Sequence, residues 1–273
     1  KMQYKEIQGI EIPEVGLGTY QMHGQQCVDS ILYALDIGYR HIDTAQIYEN
    51  EREVGEAISI STVDRNDIFL ATKIWRTNLE YDDVLLSTEK SLEQLDTPYV
   101  DLLLIHWPNE QVDLRRTLEA MLVLRDQGKA MNIGVCNFPI ALLSEAVEEI
   151  RAPIFCNQIE FHAHLDQLKQ LDYAIDHDLL MTAYSPLAQG ALIGNTALED
   201  IGKNHGKSSA QVALRWLIEQ ESVVTIPKAS RKEHLEENID IFDFELTDEE
   251  FEQINELENN KRIINPSFAP AWD

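Results

Sequence analysis

Three polar side chains stand where apolar stretches end, and a phenol follows the first of them. Asp43 closes a stretch running through His41-Ile42, and Tyr48 follows five residues later. Lys73 closes Ile68-Phe-Leu-Ala-Thr72, and His106 closes Val100-Asp-Leu-Leu-Leu-Ile105. Together they would make a proton donor for a carbonyl oxygen. A free phenol titrates near 10, too high to donate readily at neutrality. An ammonium about 4 Å away is worth roughly 4 kcal/mol at an effective dielectric of ~20, or about three pK units of depression. Lys73 fits that part, so Tyr48 is expected below the ordinary phenol range. Asp43 would keep Lys73 charged and aimed, while reducing its pull on the phenol. His106 would donate to the carbonyl oxygen and orient it. The carbonyl also needs a nucleophile, which none of these groups supplies, and a hydride from a bound cofactor is the natural source.

Plainer readings exist for each. Lys73 could be a structural ion-pair partner, or the Schiff-base lysine of a barrel lyase. His106 could be a satisfied core histidine. His162-x-His164 has the look of a metal pair, but no cysteine or carboxylate joins it at suitable spacing, so no metal is expected.

The elements that must position these groups repeat. A short hairpin over residues 4–12 turns at Gly9, and a first strand runs from Val15 to Tyr20. Helical spacing over 25–37 stops at Gly38. Strand and helix then alternate. Strands are expected at His41-Ile42, Ile68–Thr72, Val100–Ile105, Asn132–Cys136, Ile154–Ile159, Leu179–Tyr184 and Val223–Ile226. Helices are expected at 54–58, 81–95, 113–127, 139–149, 166–177, 196–204, 208–219 and 231–238. A last helix over 248–257 is capped by Thr247 with Glu250. Eight strand–helix pairs, with nearly continuous apolar strands, predict a closed parallel (β/α)8 TIM barrel behind an N-terminal β-hairpin, in one domain over 1–273. No glycine-rich dinucleotide or phosphate loop favours an open doubly wound sheet; Gly16-x-Gly18 is only a fragment. In a barrel the chemistry belongs at the strand ends. Those ends carry Thr19-Tyr20, Asp43, Lys73, His106-Trp107, Asn137, Gln158, Tyr184-Ser185 and Pro227-Lys228.

Composition narrows the partners. Forty-eight acidic against 22 basic residues give a net charge of −26, which should repel nucleic acid and anionic membranes. An anionic ligand would need a local cluster of basic residues. No apolar run approaches the ~20 residues of a membrane span, and the N-terminal residues carry no signal-peptide core. Cys27, Cys136 and Cys156 show no paired spacing, so a reducing, cytoplasmic compartment is expected. The short loops and high charge lean towards a monomer.

The strand ends, taken with their neighbours, resemble the aldo-keto reductases over essentially the whole chain. The matching segments are Gly16-Leu-Gly-Thr19, Asp43-Thr-Ala-Gln-Ile-Tyr48-Glu-Asn-Glu, Thr72-Lys73-Ile-Trp75, Leu104-Ile-His106-Trp107-Pro108, Gly134-Val-Cys-Asn137-Phe, Asn157-Gln158-Ile-Glu160, Tyr184-Ser185-Pro186-Leu187 and Ile226-Pro227-Lys228. The ending Pro266-Ser-Phe-Ala-Pro-Ala-Trp272-Asp is similar to that of the bacterial 2,5-diketo-D-gluconate and methylglyoxal reductase branch. The resemblance implies NADPH-dependent reduction of carbonyls such as methylglyoxal or keto sugar acids, with Asp43, Tyr48, Lys73 and His106 as the tetrad and Tyr48 as acid. It implies nicotinamide contacts at Asn137 and Gln158, stacking by Tyr184, and cofactor contacts at Thr19, Asp43, Ser185, Leu187, Lys228, Ser230, His234, Glu237 and Asn238. Tyr20, Trp75, Trp107 and Trp272, with Tyr48 and His106, would wall the substrate.

Two departures matter. Cys136 stands where the family often has Ser. Ala229 and His234 stand where it often has Ser and Arg, and a mostly neutral His is a poorer phosphate partner than Arg. NADPH preference should therefore be eroded, with NADH usable. A nicotinamide-sensing module without turnover on the same fold is the other class to weigh, and the complete tetrad argues against it.

Overall fold

A computed structural model describes all residues 1–273. The chain opens with an antiparallel hairpin, β1 (Tyr4–Ile7) and β2 (Ile10–Pro13), whose pairing runs from Tyr4 opposite Pro13 to Ile7 opposite Ile10. Gln8 and Gly9 make its two-residue turn with φ of 50° and 76°, the left-handed pair that suits a twisted hairpin.

Eight parallel strands follow in sequential order: β3 (Leu17–Gly18), β4 (His41–Asp43), β5 (Phe69–Ile74), β6 (Val100–Ile105), β7 (Ala130–Cys136), β8 (Ile154–Glu160), β9 (Leu180–Tyr184) and β10 (Val223–Thr225). The ends meet through parallel bridges from Val15 to Thr225 and from Gly18 to Lys228. Gly16 and Gly18 permit this closure. A Cβ on Gly16 would meet the His41 ring at 2.7 Å, and one on Gly18 the carbonyl oxygen of Ile226 at 2.8 Å. The Gly16-x-Gly18 fragment is thus a packing feature of a closed (β/α)8 barrel.

The helices of the outer ring are α1 (Gly24–Ile37), α2 (Glu51–Ile60), α3 (Tyr81–Gln94), α4 (Leu114–Asp126), α5 (Ile140–Ser144), α6 (Leu168–Asp176), α7 (Thr196–His205), α8 (Ser209–Glu219), α9 (Lys232–Ile239) and α10 (Asp248–Asn255). Gly38 ends α1 in the left-handed region, and Thr247 with Glu250 forms the capping box of α10. The helix expected over 139–149 holds only to Ser144 and widens into a π-helical turn, Glu145–Glu149.

Because side chains alternate across a strand, each barrel strand splits into two rows. Leu70, Ile74, Leu103 and Ile105 face the helices in the large core. Phe69, Ala71, Leu102, Leu104, Phe155, Cys156, Leu180 and Val224 fill the barrel interior, joined by Ile7 and Ile12 of the hairpin. The three cysteines are buried and unpaired. No helix is long and apolar enough to cross a membrane.

Candidate active site

The functional side chains continue the inward rows. Parity carries β5 from Phe69 and Ala71 to Lys73, β6 from Leu102 and Leu104 to His106, and β8 from Cys156 to Gln158 and Glu160. Apolar side chains seal the interior below, so these polar groups meet above a dry floor.

Lys73 is wholly buried, and its ammonium finds three acceptors for its three donors: Asp43 Oδ1 at 2.5 Å, the Thr44 carbonyl at 2.9 Å and Tyr48 Oη at 3.4 Å. Burial alone would depress Lys73, but Asp43 and Tyr48 overturn that and hold its pKa above the ordinary lysine range. Asp43 Oδ2 accepts from Gln158 Nε2 at 2.7 Å. Thr19 Oγ1 donates to the Asp43 carbonyl at 2.9 Å. Tyr48 sits on a single 3-10 turn, Gln46–Tyr48, with its ring edge-on to His106 at 5.6 Å between centroids. Trp75 meets the same His106 ring at 5.4 Å, and Tyr20 packs on Tyr48 at 5.2 Å.

The acidity expected of Tyr48 is corrected by the fold. Burial is the largest influence and pushes the phenol up to about 12; Lys73 pulls the other way, and Asp43 cancels part of that pull. The sequence reading weighed the ammonium and not the dry surroundings. Tyr48 is therefore a neutral phenol throughout the physiological range. Burial, reinforced by Lys73, holds His106 well below the ordinary imidazole value, so it too is neutral. Its Nδ1 has no partner in the chain. These are two uncharged donors beside one fixed ammonium.

Asp43, Tyr48, His106, Gln158, Tyr20 and Trp75 line one cavity of about 630 Å³, along with Thr19, Trp107, Cys136, Asn137, Tyr184, Ser185 and Lys228, while Lys73 lies buried behind its wall. Asn137 lines the cavity as well as bonding within the chain: its Nδ2 donates to the His106 carbonyl at 3.0 Å and its Oδ1 accepts from Tyr184 Oη at 2.7 Å. It ties the histidine's strand end to the tyrosine proposed to stack. Burial pushes the Cys136 thiol well above its ordinary value, so it is an uncharged wall.

Leu187, Ser230, His234, Glu237, Asn238 and Trp272 do not line the cavity. Leu187 packs against the large core, and the Ser230 carbonyl accepts from Ser30. At the start of α9 the Arg231 guanidinium donates to His234 Nε2, and His234 Nδ1 lies 3.5 Å from Glu237, which in turn accepts from Ser208. Asn238 is buried beside them. Trp272, expected as a substrate wall, instead backs that wall. It meets Trp107 at 6.1 Å and the Arg262 guanidinium at 3.7 Å, while its Nε1 donates to Asn265.

Sequence reasoning missed the residues that hold the site in place. Gln46 Oε1 accepts from the Trp75 amide at 2.9 Å, pinning the Tyr48 turn to the end of β5. Asn50 accepts from Thr44 and donates to the Thr19 and Met22 carbonyls, fixing the loop that carries Tyr20. Glu160, with no exposure, accepts from the amides of Ile263 and Ile264 at 2.8 Å each and from His162 Nε2 at 2.9 Å. That carboxylate straps the C-terminal tail over the barrel, so Ile263, Ile264, Asn265 and Pro266 close the cavity. A charged residue two places beyond Gln158 on an inward row was the available signal. His162 and His164 serve the same tail, His164 Nδ1 bonding the Glu258 carbonyl.

The model of the Aldo/keto reductase family matches residues 14–259. The chain belongs to the aldo/keto reductase family. This aldo-keto reductase is 41% identical over 256 residues to a glyoxal reductase of Bacillus subtilis, covering 93% of this chain and 92% of that one. A crystal structure provisionally assigned as 2,5-diketo-D-gluconic acid reductase B shares 42% identity and a TM-score of 0.97, covering 100% of this chain and 98% of that one. An aldo-keto reductase crystallised with NADPH shares 32% identity and a TM-score of 0.92, over 98% of this chain and 91% of that one. Family membership makes the chain an oxidoreductase of the carbonyl-reducing type.

Proposed function

We propose that this aldo-keto reductase uses NADPH to reduce small aldehydes and ketones, 2-oxoaldehydes such as methylglyoxal among them. The observation that carries this reading is that Asp43, Tyr48 and His106 share one cavity wall, with Lys73 buried behind it and bonded to both Asp43 and Tyr48. The remaining donors and acceptors fit a nicotinamide dinucleotide. Gln158 keeps Oε1 free of any partner in the chain, Tyr184 offers a ring, and Lys228 stands at the other end with Arg231 following. Bound there, the nicotinamide would supply the hydride. The chain's own part is to hold the carbonyl and deliver the proton.

His106 is neutral and its Nδ1 is buried, so Nε2 is the nitrogen that donates to the carbonyl oxygen and orients it. Tyr48 Oη gives up its proton as negative charge grows on that oxygen. The phenolate left behind is stabilised by Lys73, whose ammonium is held charged by Asp43. Lys73 thus acts on the product of the transfer more than on the resting acid. NADPH is preferred but NADH is usable, because His234 is engaged with Arg231 and Glu237.

Loss of NADPH absorbance on adding methylglyoxal tests the reaction. Tyr48→Phe should abolish it and leave NADPH affinity nearly intact, whereas equal loss of affinity would mean a structural tyrosine. Silence of the wild type across a broad aldehyde panel would favour a binding module. An NADPH/NADH ratio of kcat/KM on the order of 1,000 or more would exclude the eroded preference, since one lost charge-assisted contact is worth only ~1.5–3 kcal/mol.

A further inference from the structure

The cavity is charged at one end only. Lys228 lines the end away from His106, and Arg231 and Lys232 follow it at the start of α9. The end around His106 is walled by Tyr20, Ile47, Trp75, Trp107, Ile263 and Ile264, with no cationic side chain among its lining residues. The one ammonium beneath it, Lys73, has its donors committed to Asp43, Thr44 and Tyr48. Two guanidiniums come near, yet neither lines the cavity. Arg76 lies 4.7 Å from the Phe268 ring, and Arg262 3.7 Å from the Trp272 ring. The surrounding chain carries a net charge of −26. An anionic cofactor thus meets a cation on the lining that offsets the global field, whereas the aromatic end offers an anionic substrate none on its lining, the Arg262 guanidinium lying behind it against Trp272.

We propose that the carbonyl pocket selects uncharged aldehydes and ketones and discriminates against carbonyl substrates bearing a carboxylate or phosphate. This rests on the reductase reading above and parts from the keto sugar acids that the branch resemblance implies. Entering the aromatic wall strips water from a carboxylate and returns no ion pair, a cost that a neutral group of the same size avoids. The polar group offered at the rim is itself neutral. Asn265 Oδ1 is taken by Trp272 Nε1, and its Nδ2 has no partner in the chain, which leaves one uncharged donor for the second oxygen of a 2-oxoaldehyde.

A matched pair of substrates tests this: 4-oxobutanoate and its methyl ester, whose aldehydes are insulated from the charge by two methylenes. With NADPH, the ester should show a kcat/KM at least about tenfold higher, the difference residing in KM. Ile263→Lys places a cation on the wall while its backbone amide stays on Glu160, and it should narrow the gap by improving the carboxylate. The gap should persist in 0.5 M NaCl, where charges more than several ångströms apart are screened. Equal efficiency in the wild type, a ratio unmoved by Ile263→Lys, or a gap that vanishes with salt would each overturn selection by the pocket. Reduction of neither aldehyde, nor of methylglyoxal, would instead overturn the reductase reading beneath it.

Discussion

Removing Lys73 should damage the fold as well as the chemistry. Its ammonium neutralises Asp43, which is 1% exposed. Lys73→Met would leave that carboxylate unpaired in a dry interior and should destabilise the protein by ~3–5 kcal/mol. Pairing it with Asp43→Asn should recover most of the loss, because Gln158 Nε2 still finds an acceptor, while activity stays absent. Urea unfolding of both variants checks this; a double variant no more stable than the single one would show that the unpaired charge is not the cause. The grouping of Asp43, Lys73 and His106 was legible in the sequence because each closes an apolar run, and Tyr48 because it follows Asp43 in the loop beyond that strand end. The direction of Tyr48's acidity was not. Coulomb attraction to Lys73 can be guessed from residue types, but burial is created by Trp75, Tyr20 and a tail that joins from over two hundred residues away.

At the level of elements, the repeat of eight strand–helix pairs made the barrel and its strand-end residues readable, and helix stops were readable wherever glycine supplied them, as at Gly38. Short-range wording failed where tertiary contact decides. The first strand shrinks to Leu17–Gly18, with closure made by isolated bridges at Val15 and Gly18. The tail carries no periodicity, and what orders it is Glu160, a hundred residues earlier. Glu160→Gln exchanges one acceptor oxygen for a donor that faces a backbone N–H, so one of the two tail amides loses its partner. Amide exchange at Ile263 and Ile264 should quicken by at least about tenfold, the lower end of what one charge-assisted bond is worth. KM for the carbonyl should rise several-fold with NADPH affinity unchanged, because the tail closes only the substrate end. Faster exchange throughout the barrel strands would mean that Glu160 supports the fold generally and not the tail.

Across the whole molecule, chemistry and stability occupy opposite ends of the barrel, as parallel strands feeding loops at one face require. The far end is sealed by the hairpin, and there His41 lies 1% exposed against Phe69 with both ring nitrogens unpartnered. Burial, with Lys73 adding to it and Asp43 opposing, lowers its pKa from the ordinary 6.5 to about 4. The unfolded chain therefore takes up a proton at a pH where the folded chain still refuses it. The stabilisation is complete above pH 6.5 and is lost as pH falls from there towards 4, by about 3 kcal/mol in all. Protonation of the buried His106 would act in the same direction. His41→Leu fills similar space without a titrating group. Its unfolding free energy should fall less steeply between pH 7 and pH 4.5 than that of the wild type, even though its stability at pH 7 is no higher. The comparison isolates His41, because the acidic surface that dominates the net charge titrates alike in both proteins. Parallel pH profiles for the two proteins would show that this histidine is not what makes the barrel acid-sensitive.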